Sequence, residues 1–161
     1  MKFTYTIQVC NESRELFSLL NFLKKTIDEE DEIHVVADSN RVTSRVESVL
    51  EHFKDSITVF KRPFDNFCAN SQFHSEKANG EYIFGLDADE IPHEFLIKNV
   101  KRIIEEFIKD HGLIDQNFRC VYTKKCDYIK WTEEMHPKLT GTDKIIGLQP
   151  QPSLTLWHKL I

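Results

Sequence analysis

The chain has 161 residues, 40% of them apolar and 29% charged, which is enough for one globular domain with a sizeable core. The formal net charge of -5 argues against a general affinity for nucleic acid, because such binding needs a basic face. No apolar stretch approaches the roughly 20 residues that span a bilayer, and the N-terminus lacks the apolar core of a signal peptide, so we expect a cytoplasmic protein.

Strands and helices are predicted to alternate through the first 112 residues. Short runs rich in β-branched and aromatic residues predict strands, and apolar residues that recur every three or four positions predict helices with one buried face. The predicted strands cover 3–9, 32–37, 56–60 and 82–86, and the helices predicted in this way cover 16–27, 42–53 and 92–112. Residues 67–79 have mixed polarity and are interpreted as a further helix. This alternation predicts right-handed β-α-β units on an open, mostly parallel sheet flanked by helices.

Residues that commonly begin or end helices mark the predicted boundaries. Asn11 or Ser13 would cap the first helix. Gly80 would cap the end of the third helix, and Pro92 would lie in the first turn of the fourth. Beyond residue 112 the pattern is less regular, and we predict a small mixed or antiparallel part with strands over 118–123, 127–131 and 153–157.

The stretch from Tyr82 to Pro92 joins a short apolar run to two carboxylates, Asp87 and Asp89, where the strand should end. Alternate residues of an extended segment point the same way, so both side chains can face one site. Two neighbouring carboxylates repel each other unless a cation or a proton joins them, and a hard divalent ion completed by substrate phosphates meets that need. The alternative is a plain strand-to-helix turn whose acids lie favourably at a helix N-terminus.

Polar clusters follow three of the predicted strands, and ligands of open α/β sheets bind beyond the carboxyl ends of strands. These clusters are Asn11-Glu12, Asp38-Ser39 and Asp87-Ala88-Asp89. A carboxylate such as Asp38 can accept a hydrogen bond from a base N–H or a ribose hydroxyl. Neither a G-x-G-x-x-G nor a P-loop motif is present, so a metal and scattered basic groups must neutralise any phosphates bound there.

Four segments carry a pattern that is more specific than an isolated D-x-D motif. They are VCNE at 9–12, VVADS at 35–39, FCAN at 67–70 and ANGEYIFGLDADE at 78–90. In order and spacing they resemble family-2 glycosyltransferases with the GT-A fold, over about the first 110 residues. The resemblance implies a Rossmann-like sheet and the transfer of a sugar, with inversion, from a nucleotide-sugar such as a UDP-sugar to an acceptor hydroxyl.

The resemblance implies a nucleotide pocket built from several parts of the chain. Its first segment would supply the lining residues Val9, Cys10, Asn11 and Glu12. Asp38 would contact the base, and Asp87 would hold the ribose or a metal-bound water. Asn70 and Lys77 lie in the segment where such enzymes place further nucleotide contacts.

The resemblance also implies a metal ion and a catalytic base. Asp89, together with Asp87, would hold Mn²⁺ or Mg²⁺, which stabilises the leaving diphosphate. His158, or alternatively His136, would supply a further metal ligand from late in the chain. A carboxylate on the acceptor side would deprotonate the attacking hydroxyl, and Glu134, in the pair Glu133-Glu134, is the candidate for this base.

The chain departs from the family pattern after residue 112, because members are usually longer. We therefore expect a single domain with a nucleotide-sugar-binding part, 1–112, and a reduced acceptor-side part, 113–161, in either a naturally minimal enzyme or a truncated chain. The acceptor is open among a saccharide, a lipid-linked glycan and a protein, and a second subunit could complete its site.

Two other functions compete with glycosyl transfer. A non-catalytic or degenerate nucleotide- or sugar-binding module is favoured by the short C-terminal part. A nucleotidyltransferase usually needs a glycine-rich basic loop after the first strand, and the segment NESR at 11–14 is not one.

Overall fold

The computed structural model describes residues 1–111, with side chains to residue 105, and six short strands beyond them. In chain order the elements are β1 (Phe3–Val9), α1 (Ser13–Thr26), β2 (Glu32–Asp38), α2 (Ser44–His52), β3 (Thr58–Arg62), α3 (Phe67–Lys77), β4 (Tyr82–Asp87), β5 (Glu90–Pro92), α4 (Glu94–His111), β6 (Ile114–Asp115), β7 (Tyr122–Lys124), β8 (Lys130–Thr132), β9 (Lys138–Thr140), β10 (Ile146–Gly147) and β11 (Trp157–Lys159). The predicted alternation of strands and helices is confirmed.

The central sheet has five strands in the order β3-β2-β1-β4-β7. The first four of these are parallel, and β7 is antiparallel to β4 at the edge. The remaining short strands form three pairs, β6 with β10, β5 with β11 and β8 with β9. From β1 the chain runs outward through β2 and β3, and it then returns to the other side of β1 as β4. The strand order therefore reverses between β1 and β4, where open sheets of this type bind ligands.

One face of the sheet is apolar, and it packs against α1. The odd-numbered residues of β1, which are Phe3, Tyr5, Ile7 and Val9, are at most 3% exposed. They share one core cluster with the four fully buried leucines of α1, Leu16, Leu19, Leu20 and Leu23. Burial of each such side chain contributes about 1.5–3 kcal/mol. This regular burial explains why apolar spacing was sufficient to predict both elements.

The opposite face is polar at its centre. Thr4 and Thr6 of β1 and His34 of β2 are buried there, at 4% exposure or less. Helix α3 has no apolar stripe, and its buried residues are Asn70 and His74. Hydrogen bonds therefore contribute to the packing of α3 against the sheet in the place where α1 uses leucines.

Helix α4 is amphipathic and covers part of the core. Its buried residues in the described side chains are Leu96, Ile97, Val100 and Ile104. At 18 residues it is the longest helix of the described chain, and no helix there combines the length and apolar character needed to cross a bilayer.

Glu32, at the start of β2, joins the polar face to the end of α3. Its carboxylate accepts hydrogen bonds from the Thr4 hydroxyl at 2.6 Å, the backbone N–H of Asn79 at 2.8 Å and the Lys2 ammonium at 3.0 Å. Its side chain is 20% exposed. Burial alone would raise the pKa of Glu32, but these hydrogen bonds outweigh it and lower the pKa from 4.5 to about 2.

We expect this carboxylate to give the protein an acid-dependent stability. A depressed folded pKa stabilises the fold fully above the unfolded value of 4.5, and the stabilisation is lost as the pH falls towards about 2. Glu32→Gln should lower the free energy of unfolding at pH 7 by about 1–3 kcal/mol and flatten its pH dependence in that window. Urea denaturation at stepped pH measures both, with the exposed Glu105→Gln as the matched control. Equal pH slopes for wild type and Glu32→Gln would contradict the assignment.

Three predicted boundaries are wrong, and tertiary contacts explain two of them. Glu12 is at the N-cap of α1 without a side-chain cap, so neither Asn11 nor Ser13 caps this helix. Helix α3 ends at Lys77, three residues before Gly80, which instead lies against the backbone of β1. Pro92 ends the strand β5, which pairs with β11, and α4 begins only at Glu94.

Candidate functional site

A cleft of about 350 Å³ opens where β1, β2 and β4 end at the same edge of the sheet. The strand register pairs Gln8 with Asp87 and also with Val36, so the three strand ends are level. Seven of the residues predicted from the sequence line this cleft: Val9, Cys10, Glu12, Asp38, Asn70, Asp87 and Asp89. The topology therefore brings together groups from four separate segments of the chain.

The remaining predicted site residues lie elsewhere or outside the described part. Asn11 is exposed in the loop after β1 and does not line the cleft. Lys77 is at the far end of α3, with its ammonium 5.6 Å from the centre of the Phe73 ring, so the structure does not bring it to the cleft. The backbone of His158 in β11 pairs with Ile91 in β5, two residues after Asp89. Glu133, Glu134 and His136 lie outside the described residues.

Glu12 fixes the loop between β1 and α1. One of its carboxylate oxygens accepts hydrogen bonds from the backbone N–H groups of Cys10 at 2.8 Å and Asn11 at 2.9 Å. This internal role holds the loop at the cleft, and a direct contact of Glu12 with a nucleotide stays a prediction. Burial raises the pKa of the neighbouring Cys10 thiol, which favours its neutral form.

Asp38 is the last residue of β2, and one of its carboxylate oxygens accepts hydrogen bonds from the backbone. Its Oδ1 accepts hydrogen bonds from the backbone N–H groups of Asn40 at 3.0 Å and Phe64 at 3.3 Å. These contacts hold the carboxylate between the loops that follow β2 and β3. Among the described residues no hydrogen bond engages its Oδ2, so the carboxylate can still accept from an N–H of a ligand in the cleft.

Asp87 and Asp89 flank a buried alanine at the end of β4. Ala88 is 2% exposed, whereas Asp87 is exposed and Asp89 is half-buried, and all three line the cleft. Among the described residues no group of three acidic, histidine or cysteine side chains lies close enough to hold a metal. Two carboxylates nevertheless suit Mg²⁺ or Mn²⁺, because such ions keep water and take substrate phosphate oxygens as further ligands.

Two arginines that the sequence analysis did not single out also line the cleft. Arg62, at the end of β3, donates to the Ala69 carbonyl at 3.1 Å and forms an ion pair with Asp65. Arg41, in the loop after β2, is exposed, and among the described residues no carboxylate pairs with it. Their positions in the sequence could have indicated this, because both arginines lie near the ends of predicted strands that meet at one edge of the sheet.

Two phenylalanines and a glutamine of the cleft were missed as well. Phe64 and Phe67 line the cleft with 38% and 48% exposure, and their ring centres are 5.2 Å apart. Exposed aromatic faces of this kind can stack on a nucleobase. Gln8 precedes the first matching segment by one residue, and only the alternation along β1 could have placed it on the cleft side.

An open, mostly parallel sheet with acidic side chains at its switch point defines an α/β domain of the type that binds ligands beyond the carboxyl ends of its strands. The sequence profile described as glycosyl transferase family 2 matches residues 6–148, and the chain therefore belongs to that family. A search of curated protein sequences finds no significant match to this chain.

Solved structures with the GT-A fold resemble the chain. TarS of S. aureus, whose structure in complex with UDP is known, is 23% identical with a TM-score of 0.55, over 74% of this chain and 37% of TarS. A mannosyltransferase of Pyrobaculum calidifontis, in complex with GDP-Man and Mn²⁺, is 15% identical with a TM-score of 0.56, over 73% of this chain and 35% of that protein. Glucosyl-3-phosphoglycerate synthase of Mycobacterium tuberculosis, in complex with Mn²⁺, UDP and glucosyl-3-phosphoglycerate, is 15% identical with a TM-score of 0.54, over 73% of this chain and 44% of that protein. The chain thus spans less than half the length of these proteins.

Proposed function

We propose that the protein is a metal-dependent, inverting glycosyltransferase that moves a hexosyl group from a UDP-sugar to an acceptor hydroxyl. The observation that carries this proposal is the meeting of Asp38, Asp87 and Asp89 in one cleft at the switch point of a family-2 chain. Residues 1–112 would bind the donor, and residues 113–161 would form the acceptor side, so that the chain acts as one domain in the cytoplasm.

In this proposal the nucleoside lies across the end of β2. The imide N–H of uracil donates to Asp38, whose Oδ2 has no hydrogen bond from the described residues. The exposed rings of Phe64 and Phe67 offer a stacking surface for the base. The complexes of TarS and of the mycobacterial synthase with UDP support a uridine nucleotide here.

The diphosphate lies near the acidic pair and the two arginines. Asp87 and Asp89 would hold Mn²⁺ or Mg²⁺, and His158 would add a third protein ligand from β11. When bound, the ion would neutralise the diphosphate and make it a better leaving group. Arg41 and Arg62 would add positive charge from the chain itself.

On the acceptor side we propose that Glu134 accepts the proton of the attacking hydroxyl. The acceptor oxygen then bonds to the anomeric carbon on the face opposite the diphosphate, whose bond to that carbon breaks, so the configuration inverts. The acceptor is a saccharide, a lipid-linked glycan or a protein. A second subunit would complete its site if 113–161 does not enclose it.

A second candidate function is a nucleotide-sugar-binding module without turnover. It is favoured by one observation, which is that the cleft residues Asp38, Asp87 and Asp89 are all assigned to donor binding. This module would use the same donor cleft and lack a working acceptor side.

Calorimetric titration with UDP, with and without Mn²⁺, tests the donor site directly. We expect tight binding only with Mn²⁺, and weaker binding of GDP under the same conditions. Release of UDP from UDP-sugars, measured with Mn²⁺ and a panel of acceptors, then separates the two candidates, because the module binds without turnover. Absent or metal-independent binding of UDP would contradict the proposal.

A further inference from the structure

Gln8 of β1 pairs with Asp87 of β4 and lines the cleft. Paired residues of neighbouring parallel strands project from the same face of the sheet, so the Gln8 amide and the Asp87 carboxylate lie side by side. The Oε1 of Gln8 accepts a hydrogen bond from the Asn70 amide at 2.5 Å. Among the described residues no hydrogen bond engages its Nε2, which leaves two donor hydrogens for the cleft.

The orientation of the Gln8 amide is set by two buried side chains of α3. Asn70 is 3% exposed and His74 is 9% exposed, and the Nδ2 of Asn70 lies 3.3 Å from the Nε2 of His74. The two hydrogens of this NH₂ group thus have two acceptors, Gln8 Oε1 and His74 Nε2. In this amide orientation His74 Nε2 is the acceptor, so the ring is neutral with its proton on Nδ1, a buried atom without a hydrogen-bond partner among the described residues.

The surroundings of His74 favour a neutral ring. Burial, followed by the nearby His34 and Arg62, lowers the pKa of His74 from 6.5 to about 4. At neutral pH one ring nitrogen is therefore an acceptor.

We propose that Gln8 is a specificity-determining residue that recognises a hydroxyl of the donor's ribose. In this proposal Asn70 and His74 are positioning residues, which hold the Gln8 amide with its NH₂ group towards the cleft. The inference rests on the proposed function. A hydroxyl both donates and accepts, so one ribose hydroxyl can donate to Asp87 while it accepts from Gln8 Nε2. A site built to bond a hydroxyl rejects an analogue that lacks it, because its polar groups are left unpaired.

Binding of UDP, 2′-deoxy-UDP and 3′-deoxy-UDP in the presence of Mn²⁺ tests the recognition step. We expect wild type to bind at least one deoxy analogue about tenfold more weakly than UDP. Gln8→Leu should lower that ratio by about threefold, because the hydroxyl then keeps only its bond to Asp87, and Gln72→Leu should leave the ratio unchanged. Gln72 is a matched control because its amide bonds Glu76 on the outer side of α3 and does not line the cleft.

The positioning step has its own readouts. Asn70→Ala should release the Gln8 amide and reduce the ratio of UDP affinity to deoxy-UDP affinity. Asn99→Ala should leave this ratio unchanged, because it removes a helical amide that bonds the Phe95 carbonyl instead. The ¹⁵N spectrum of the His74 ring in wild type should show a protonated Nδ1 and an unprotonated Nε2. A protonated Nε2 would overturn the proposed orientation, even if a Gln8 variant failed to fold.

The outcomes separate this inference from the proposed function. Mn²⁺-dependent UDP binding with equal affinity for all three nucleotides, or an unchanged ratio in Gln8→Leu, would overturn the role of Gln8 and leave the donor site intact. Absence of any UDP binding by wild type would overturn both.

Discussion

Asp89→Asn is expected to abolish metal-dependent binding of UDP, with affinity in the presence of Mn²⁺ at least about 100-fold weaker, or about 2.7 kcal/mol. Asp89 lines the cleft beside Asp87, and no third acidic, histidine or cysteine side chain of the described residues completes a metal site. Each carboxylate therefore carries a large share of the attraction for a divalent ion. Asparagine keeps the shape of the side chain and removes its charge.

The same variant separates a metal ligand from a structural turn residue. Without metal, Asp87 and Asp89 repel each other, so Asp89→Asn should leave the free energy of unfolding unchanged or slightly raise it. With Mn²⁺ and UDP, wild type should gain thermal stability by mass action and the variant should not. Thermal unfolding under these conditions, beside the calorimetric titration, measures both effects.

Asp55→Asn is the matched control for this experiment. Asp55 is exposed in the turn after α2 and does not line the cleft, so the same chemical change there should leave UDP binding intact. If Asp89→Asn binds UDP with unchanged affinity and an unchanged response to Mn²⁺, the acidic pair is a structural turn and the metal assignment is wrong.

Gly80→Ala is expected to destabilise the protein by about 3 kcal/mol, near the upper end of the usual cost of overpacking. A Cβ atom at Gly80 would lie 2.6 Å from the backbone nitrogen of Thr4 and 2.7 Å from the backbone carbon of Phe3. These are main-chain atoms of the central strand, which cannot move aside as a flexible side chain could. The N–H of Gly80 also donates to the Thr4 hydroxyl at 2.8 Å, a bond that any shift would weaken.

Chemical denaturation of Gly80→Ala and Gly85→Ala measures this effect with an internal control. Gly85 lies in β4, and among the described residues a Cβ there would meet only the Thr6 hydroxyl, at an ordinary contact distance of 3.8 Å. We expect Gly85→Ala to change the free energy of unfolding by less than about 0.5 kcal/mol. If the two variants were similarly stable, β1 would accommodate the extra methyl group, and the predicted collision with its backbone would be wrong.

Local sequence patterns predicted the order and type of the four parallel strands and four helices, although α3, of mixed polarity, has no apolar stripe and the short strand β5 was missed. Alternation in β1 and the leucine spacing in α1 are local signals, because burial of one face is repeated at each turn or every second residue. The strand over 56–60 was placed two residues early, since β3, at Thr58–Arg62, is exposed or half-buried and carries a weaker pattern. The carboxylates of the cleft were also predictable. The alternation of strands and helices along the chain shows where each parallel strand ends, and these carboxylates lie at such ends.

The roles of Gly80 and Pro92 were not predictable from local rules. Both residue types are common at helix boundaries, yet Gly80 lies against the backbone of β1 and Pro92 ends the strand β5. The same limit applies to Gln8, Arg62 and Phe64, whose positions in the cleft depend on which strands are neighbours.

The sequence by itself determined the alternating α/β fold, its parallel sheet and the acidic ends of its strands, because these features follow from residue periodicity along single elements. Only the tertiary structure decided which groups share the cleft, such as Gln8 with Asp87 and Asn70. These contacts join residues that are far apart in the chain, and they form only when the strand order and register are fixed. The buried polar face beneath α3 was hidden for the same reason, since each of its side chains looks like a surface residue until its partner is known.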